Sequence, residues 1–408
     1  MTFLRFILDG IREMLRGSRE YYLWLLALSV VVAFGAWQYT RQLTGGLVVT
    51  GMSDQVSWGF YIANFAFLVG IAAAAVLLVI PAYIFHRKDI KDVVLVGEGM
   101  AVAAVTMAIM FVIADLGRPD RLWHMLPVIG RLNFPVSLLA WDVIVLSGYL
   151  VLNLIIPFYL LYNRYRGRES SFRLYFPLVV LSMFWAISIH TVTAFLFSAN
   201  PARPFWHTAL LGPRFIASAF ASGPALIILT MQIVRRVADY KVSQSVIDTL
   251  ALIMTVAMQV NLFFVGAELF TDFYNEGAHA ASIHYLFLGL GGFDSLQPWI
   301  WFALTLNVIA VIILMIHPLR RNIVTLNVAC ILAFVGIWIE KGMGLVIPGF
   351  VPTPLGEIFE YAPTAVELSV AAAIWAFGVL VFTLLAKAVI AIETGRLSQA
   401  PENVRQSF

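Results

Sequence analysis

Cysteine, charge and histidine are all scarce in this sequence of 408 residues. The four charged residue types make up 12% of the chain, whereas 61% of the residues are hydrophobic. So few charges could not solvate a water-soluble domain of this size, and the composition therefore predicts a polytopic membrane protein surrounded by lipid. In that setting, the formal net charge of +3 gives no reason to expect a nucleic-acid partner.

The shortage of cysteine and histidine argues against a redox cofactor bound by this chain. The single thiol, Cys330, cannot hold an iron–sulfur cluster, form an internal disulfide or attach haem c through a CxxCH motif. Only His190 of the seven histidines lies well inside a predicted span, so the facing histidine pairs of a membrane b-haem are missing. The phosphate-binding and HExxH metal motifs are absent too. We expect no haem, no iron–sulfur cluster and no metal, so any electron transfer needs a mobile carrier and an external partner.

Ten apolar segments are long enough to cross a bilayer, for which about 20 residues suffice. They cover residues 21–39, 58–85, 93–114, 137–162, 174–199, 213–235, 246–270, 298–317, 323–347 and 366–392. Helices are expected, because the strands of a membrane barrel would show short alternating patterns instead. The sequence therefore predicts an all-α polytopic membrane protein with ten transmembrane helices.

An internal repeat relates two parts of the chain. FVIADL at 111–116 is echoed by FVGAEL at 264–269, YIAN at 61–64 by FIAS at 215–218, and AISIH at 186–190 by GIWIE at 336–340. Four spans in each copy give the two copies the same orientation in the membrane, so two parallel four-helix-bundle repeats with flanking helices are predicted. The predicted units are an amphipathic segment (1–20), a first span with its loop (21–57), a first bundle holding the candidate site (58–212), a second bundle (213–365), and a last span with its tail (366–408).

The distribution of basic residues predicts the orientation. If both termini are cytoplasmic, 19 of the 26 Lys and Arg residues lie on the cytoplasmic side and 7 on the other. This asymmetry favours a protein of the inner (cytoplasmic) membrane with both termini inside. The segment 1–20 is predicted to lie on the inner leaflet, and the longer loops are predicted to face outward.

Ionisable residues inside apolar helices are costly and tend to be functional. His190 lies about 13 Å below the expected outer end of its span, at 1.5 Å per residue, and Asp115 ends another span of the same bundle. Imidazole exchanges protons near pH 7, and a carboxylate can do so in apolar surroundings. These groups suit catalysis on a quinol, whose oxidation releases two electrons and two protons. The structural alternative is a core histidine bonded to Ser188, Thr191 or a carbonyl.

Three further residues are candidates for quinone binding. Asn64 could offer a hydrogen bond, Trp58 a ring wall, and Arg118 a charge that shapes the pocket. The structural alternatives are an amide that holds helices together and an arginine that pairs with a carboxylate at a helix end.

Carboxylates in both bundles are candidates for a proton path. In the second bundle, Glu340 is followed by Lys341, and the two neighbours could neutralise each other. The four candidates are Glu98, Asp142, Glu268 and Glu340.

Five motifs carry a resemblance to a known family: GMSDQVSWGFYIAN at 51–64, DLGRPDRLWH at 115–124, SIHTVTAF at 188–195, RPFW at 203–206 and GPRFIASAF at 212–220. They resemble the NrfD/PsrC family of quinone-interacting membrane subunits, and most closely its DsrP subfamily, which is associated with sulfite reduction. The resemblance implies a chain that exchanges electrons between menaquinone or ubiquinone and an extracytoplasmic ferredoxin-like iron–sulfur subunit. The subfamily further implies cytochrome b, multihaem cytochrome c and cytoplasmic iron–sulfur partners in sulfur metabolism. Asp115 and His190 are the foremost pocket positions that it implies.

Other interpretations remain open at the level of the sequence. Related family members include menaquinone reductase subunits and subunits of other complexes. A proton-translocating or transporter subunit would also contain repeats and buried carboxylates. A passive membrane anchor is the third possibility.

Overall fold

The computed structural model describes residues 2–399, apart from 127, 239, 276, 278 and 279 and apart from the side chains of 2 and 92. Within this part, the chain is helical and contains no β-strand, and Leu290 and Phe293 form an isolated β-bridge. Ten helical spans of the described residues are long and apolar enough to cross a membrane. This confirms the predicted fold class.

The helices follow the hydropathy pattern closely. Each apolar run satisfies its backbone groups internally as a helix, which lipid requires. The helices are α1 (Thr2–Leu15), α2 (Arg19–Gly45), α3 (Phe60–Ala73), α4 (Val76–Tyr83), α5 (Lys88–Asp115), α6 (Leu138–Tyr165), α7 (Phe172–Ser198), α8 (Leu211–Val237), α9 (Gln244–Asn275), α10 (Ala280–Phe287), α11 (Gln297–Met315), α12 (His317–Arg321), α13 (Ile323–Lys341), α14 (Met343–Val346) and α15 (Ala365–Glu393). The helices α3 and α4 together form one span, and so do α13 and α14 with the turn that follows.

The helices pack as two rings of four. In the first bundle, α3 contacts α5, α5 contacts α6, α6 contacts α7, and α7 contacts α3. In the second bundle, α8, α9, α11 and α13 contact one another in the same cyclic order. Helices that are not neighbours in a ring therefore face each other across its diagonal. One diagonal of the first bundle joins α5 and α7, and the corresponding diagonal of the second bundle joins α9 and α13.

The span that begins with α3 lies at the centre of the molecule. It is 89% buried, more than any other span of the described chain. Besides its neighbours in the first bundle, α3 contacts α8 and α13 of the second bundle and α15. The last helix, α15, covers α5 and packs against α2.

The two ends of the described chain meet on one side of the protein. Phe6 of α1 packs against the rings of Tyr162 and Tyr165 at the end of α6. The Gln399 amide donates to the carbonyl of the same Tyr165 at 2.9 Å. We call this face the terminal side. The opposite face, which carries residues 46–59, 116–126, 128–137, 199–210 and 351–364, is the loop side.

The start of α15 fixes the loop side. Thr364 and Glu367 form a capping box, in which each side chain bonds the backbone of the other. The buried Glu367 carboxylate also accepts from the Gly51 amide at 2.7 Å and from the Tyr361 hydroxyl at 2.5 Å. Burial, followed by the charge of Glu367, raises the pKa of Tyr361, so this phenol stays protonated as a donor. One carboxylate thereby joins the start of α15 to two loop-side segments, 46–59 and 351–364.

A close contact between the two bundles gives a stability prediction. A Cβ atom on Gly223 of α8 would lie 1.9 Å from the Cβ atom of Ala74, so Gly223→Ala should separate α3 from α8. Overpacking of this kind costs about 1–3 kcal/mol, and the midpoint of thermal unfolding in detergent should fall. The control is Gly266→Ala in α9, where a Cβ meets nothing within 4 Å. Equal midpoints for the two variants would contradict the close contact.

Candidate functional site

His190 is buried in the first bundle without a hydrogen-bond partner. It lies in α7 eight residues before Ser198, about 12 Å from the loop-side end at 1.5 Å per residue. Its exposed fraction is 1%, and neither ring nitrogen is bonded to any described residue. Ser188 and Thr191 instead donate to carbonyls of their own helix. The structural alternative, a histidine satisfied by those residues, is therefore wrong.

A carboxylate of α6 lies against the same face of α7. The Thr193 hydroxyl donates to Asp142 at 3.0 Å, and both side chains are buried. Thr193 follows His190 by three residues, a spacing that puts two side chains on one helix face. Asp142 is therefore closely associated with the surface that carries the imidazole. The sequence proposed it only for a proton path.

Asp115 ends α5 on the loop side, on the diagonal from α7. Its Oδ1 atom is buried without a partner among the described residues. The hydroxyl of Tyr61 and the carboxylate of Glu367 lie within electrostatic range. Tyr61 donates to Gln42 at 2.8 Å, and Gln42 donates to the carbonyl just before Asp115 at 2.6 Å. The helices α2, α3 and α15 thus position the end of α5, although none of the described side chains bonds this oxygen.

Asn64 joins three helices of different parts of the fold. Its Oδ1 atom accepts from Trp338 of α13 at 3.0 Å and from Trp375 of α15 at 2.9 Å. Its amide group donates to the Phe60 carbonyl at 2.8 Å. The Oδ1 atom of Asn64, a residue predicted to bind a quinone, thus already accepts two indole N–H groups.

Trp58 and Arg118 also have partners near the loop side. Trp58 is stacked on Trp206 with ring centroids 5.5 Å apart, and it meets Phe197 and Phe350 edge on. Arg118 is exposed and makes two 2.9 Å bonds to Asp120. This interaction lowers the pKa of Asp120. No hydrogen bond of the described residues joins Trp58, Asn64 or Arg118 to His190.

Glu98 is a separate buried carboxylate nearer the terminal side. It has an exposed fraction of 3%, and its Oε2 atom has no partner among the described residues. Tyr83, Tyr149 and Glu393 lie within electrostatic range. Glu393 in turn pairs with Arg164 at 2.8 Å.

The second bundle contains an ionic network. Arg214 of α8 pairs with Glu268 of α9 and, at 3.2 Å, with Glu340 of α13. Glu340 also accepts from Asn307 at 2.7 Å and from Asn261 at 3.2 Å. Asn261, Asn307 and Glu340 are buried, and Arg214 and Glu268 are each only 12% exposed. The network bridges the diagonal between α9 and α13, and two of the four predicted proton-path carboxylates belong to it.

A loop-side pocket of about 180 Å³ leads to this network. Glu268 contributes to its wall together with His207, Thr208 and Asp272. Water on the loop side therefore has a path to the edge of the ion pair.

Comparison with known proteins identifies the family. The family model described as polysulphide reductase, NrfD, matches residues 48–352, three quarters of the chain. The chain belongs to the NrfD family. It is similar to a dimethyl sulfoxide reductase membrane subunit of Halobacterium salinarum, with 26% identity over 88% of each chain. The Hdr-like menaquinol oxidoreductase integral membrane subunit of Archaeoglobus fulgidus is 28% identical, over 66% of this chain and 65% of its own. The menaquinone reductase integral membrane subunit of Nitratidesulfovibrio vulgaris is 23% identical over 90% of each.

The NrfD match includes every predicted site residue and also residues that the sequence analysis missed. Arg214, Asn261 and Asn307 were not proposed, although a polar residue in an apolar span is a signal that could have found them. The suggested pairing of Glu340 with Lys341 is wrong, since Glu340 is bonded to Arg214 and no salt bridge of the described residues involves Lys341. Consecutive helical residues point about 100° apart and do not face each other.

Asn64 provides a test that separates stability from quinone binding. Asn64→Ala should leave the indole N–H groups of Trp338 and Trp375 buried without an acceptor, at about 1–3 kcal/mol each. The unfolding midpoint should fall, whereas the KM for quinol should stay within about twofold in protein that remains folded. In the control Asn163→Ala, only a local bond to Tyr159 is lost. A large rise in KM without a change of stability would contradict the structural role and support Asn64 as a quinone-binding residue.

Proposed function

We propose that this chain is the quinone-reactive membrane subunit of a respiratory oxidoreductase complex. It exchanges electrons between membrane menaquinone or ubiquinone and an extracytoplasmic iron–sulfur partner. The observation that carries the proposal is His190, a buried imidazole in an apolar bundle with both nitrogens free of described partners. Two of the similar proteins bear names that refer to menaquinol or menaquinone, which supports menaquinone as the first choice of substrate.

The repeat supplies a physical reason for placing the quinone between Asp115 and His190. In the second bundle, the corresponding positions are Glu268 and Glu340, and the guanidinium of Arg214 bridges them. The first-bundle position that corresponds to Arg214 is Phe60, which carries no charge. The first bundle therefore has a carboxylate and an imidazole on this diagonal but no guanidinium between them, whereas Arg214 bridges the two carboxylates of the second bundle. A planar quinol head with two hydroxyl groups could bond both.

The proposed reaction balances within this site. Oxidation of a quinol breaks two O–H bonds and yields the quinone, two electrons and two protons. Asp115 and a nitrogen of His190 accept the protons, and Asp142 stabilises the imidazolium from the Thr193 side. Each electron passes to the iron–sulfur partner, because this sequence contains a single cysteine and no paired histidines to carry a cluster or haem.

The loop side offers a surface for that partner. Val128, Ile129 and Val136 are strongly exposed there beside Arg121 and Arg131. Exposed apolar groups rimmed by charge are typical of protein contacts. We assign the partner to this side, and with it the proposal that the loop side is extracytoplasmic.

The metabolic role follows the sequence motifs. We propose sulfur metabolism of the sulfite-associated type, with cytochrome b, multihaem cytochrome c and cytoplasmic iron–sulfur subunits as further partners. A menaquinone reductase or another NrfD-type complex is the alternative. A proton-translocating subunit is favoured as an additional role by the ionic network of the second bundle and by the buried Glu98.

Cysteine labelling tests the orientation. In a Cys330→Ser background, Leu355→Cys on the loop side should react with an impermeant maleimide in intact cells. Arg168→Cys on the terminal side should react only after permeabilisation. Both positions are exposed, so access alone decides the result. The reverse pattern would overturn the orientation and the extracytoplasmic partner.

Substitution of the two diagonal residues tests the quinone site. His190→Ala and Asp115→Asn should each lower quinol-dependent reduction of the iron–sulfur partner, because loss of a general acid–base group costs about 10²–10⁴-fold in rate. The assay uses the assembled complex, and assembly is verified for each variant. His284→Ala, a histidine of α10 outside the first bundle, should leave the rate unchanged. Normal turnover in both first-bundle variants would remove the site from this diagonal.

A further inference from the structure

Lys341 is a buried amine between the two bundles. It ends α13 with an exposed fraction of 5%. Its ammonium lies 4.2 Å from the centre of the Phe215 ring and 3.5 Å from the Phe215 carbonyl oxygen of α8. A Cβ atom on Gly70 of α3 would lie 3.2 Å from the same nitrogen. A glycine thus leaves room for the amine where α3, α8 and α13 meet.

The charge of Lys341 is not neutralised by an adjacent carboxylate. No salt bridge of the described residues includes it, and its nearest polar contact is the long bond to Phe215. A buried ammonium with a single weak acceptor and one aromatic face is poorly compensated. Packing alone does not explain a lysine at this position, because an apolar side chain would fill the same space with a smaller desolvation cost.

Lys341 lies between two groups of ionisable residues. On one side, the Phe215 ring under its amine lies 6.1 Å, centre to centre, from the ring of Phe197, which follows His190 by seven residues on the same face of α7. On the other side, it directly follows Glu340, which belongs to the ionic network with Arg214. Its helix neighbour Glu340 faces into that network, whereas Lys341 faces out of it. The described residues therefore form a sequence of titratable groups from His190 through Lys341 to Glu340 and Glu268, and Glu268 borders the loop-side pocket.

We propose that Lys341 is a proton-relay residue that connects the quinone site of the first bundle to the carboxylates of the second bundle and so to the loop-side pocket. This inference rests on the proposed function. The Lys341 ammonium first loses an N–H bond as an O–H bond forms on Glu340 or Glu268, and that proton leaves through the pocket. The neutral Lys341 amine then gains an N–H bond as the protonated imidazole of His190 loses one, through bridging water where the gap exceeds one hydrogen bond. No further oxidant or reductant is involved.

The side chains of the relay fit their roles chemically. A buried lysine changes its protonation state readily, whereas an arginine keeps its proton. Arg214 is therefore a fixed charge that holds the two carboxylates together, and Lys341 is the member able to carry a proton between bundles. Lys341→Arg keeps the positive charge but removes this ability. Lys341→Met removes both.

The experiment compares these two variants with a matched lysine in the assembled complex. Lys387 also holds its amine over an aromatic ring, 3.8 Å from the centre of Tyr21, but near the start of α2 at the terminal side. Complexes in proteoliposomes are supplied with quinol, and turnover, KM for quinol and proton release on the loop side are measured. We expect both Lys341 variants to lose at least about 10²-fold in kcat, the lower bound for a lost proton-transfer group. Their KM should stay within about twofold, and Lys387→Met should resemble the wild type.

The variants separate this inference from the proposed function. Wild-type turnover and loop-side proton release in Lys341→Arg would overturn the relay, because an arginine cannot pass the proton on. A rise in KM with unchanged kcat would also overturn it and would make Lys341 a quinone-binding residue. If His190→Ala abolishes turnover while both Lys341 variants work normally, the quinone site stands and the relay alone is wrong. If His190→Ala turns over quinol at the wild-type rate while Lys341→Met is inactive, the proposed position of the quinone site is wrong, and so is a relay that begins at His190.

Discussion

The charge of Arg214 has to be neutralised inside an apolar bundle, and much of the second half of the protein is arranged around that requirement. Removing one partner of a buried ion pair typically costs about 3–5 kcal/mol, because the other charge is left uncompensated. Glu268 and Glu340 provide the opposite charge from two diagonal helices, and Asn261 and Asn307 donate to the second of them. The network therefore fixes the rotation of α8, α9, α11 and α13 together. With Glu340 turned inward, its neighbour Lys341 has to face the first bundle.

The two bundles share a scaffold but differ at the position that decides how their charges are used. In the alignment of the two repeats, Arg214 of the second bundle corresponds to Phe60 of the first. A cation in one copy is therefore an aromatic ring in the other. The second-bundle carboxylates are paired, whereas Asp115 and His190 keep atoms without described partners. Paired charges stabilise a structure, and unpaired polar atoms in an apolar interior are available for a ligand. This difference explains how one helix arrangement could provide both a binding site and an ionic scaffold.

The sequence was sufficient for the spans but not for the directions of the side chains. Hydropathy located all ten helices because lipid imposes length and composition on each of them separately. The partners of Asn64 could not be predicted in this way, since Trp338 and Trp375 are 274 and 311 residues distant. The stacking of Trp58 on Trp206 was not predicted either. Both results depend on how far each helix is rotated about its axis. That rotation is set by packing between helices, for which one sequence without periodic polar faces gives little information.

The central position of α3 makes the two halves interdependent. The same helix supplies Tyr61 beside Asp115, Asn64 to α13 and α15, and Gly70 to the space around Lys341. A displacement of α3 would therefore alter the end of α5 and the amine of α13 at the same time. A rigid element that contacts both of two distant groups is one physical route for coupling between them. In this protein α3 is that element, and its near-complete burial means that it cannot move without repacking the helices on every side.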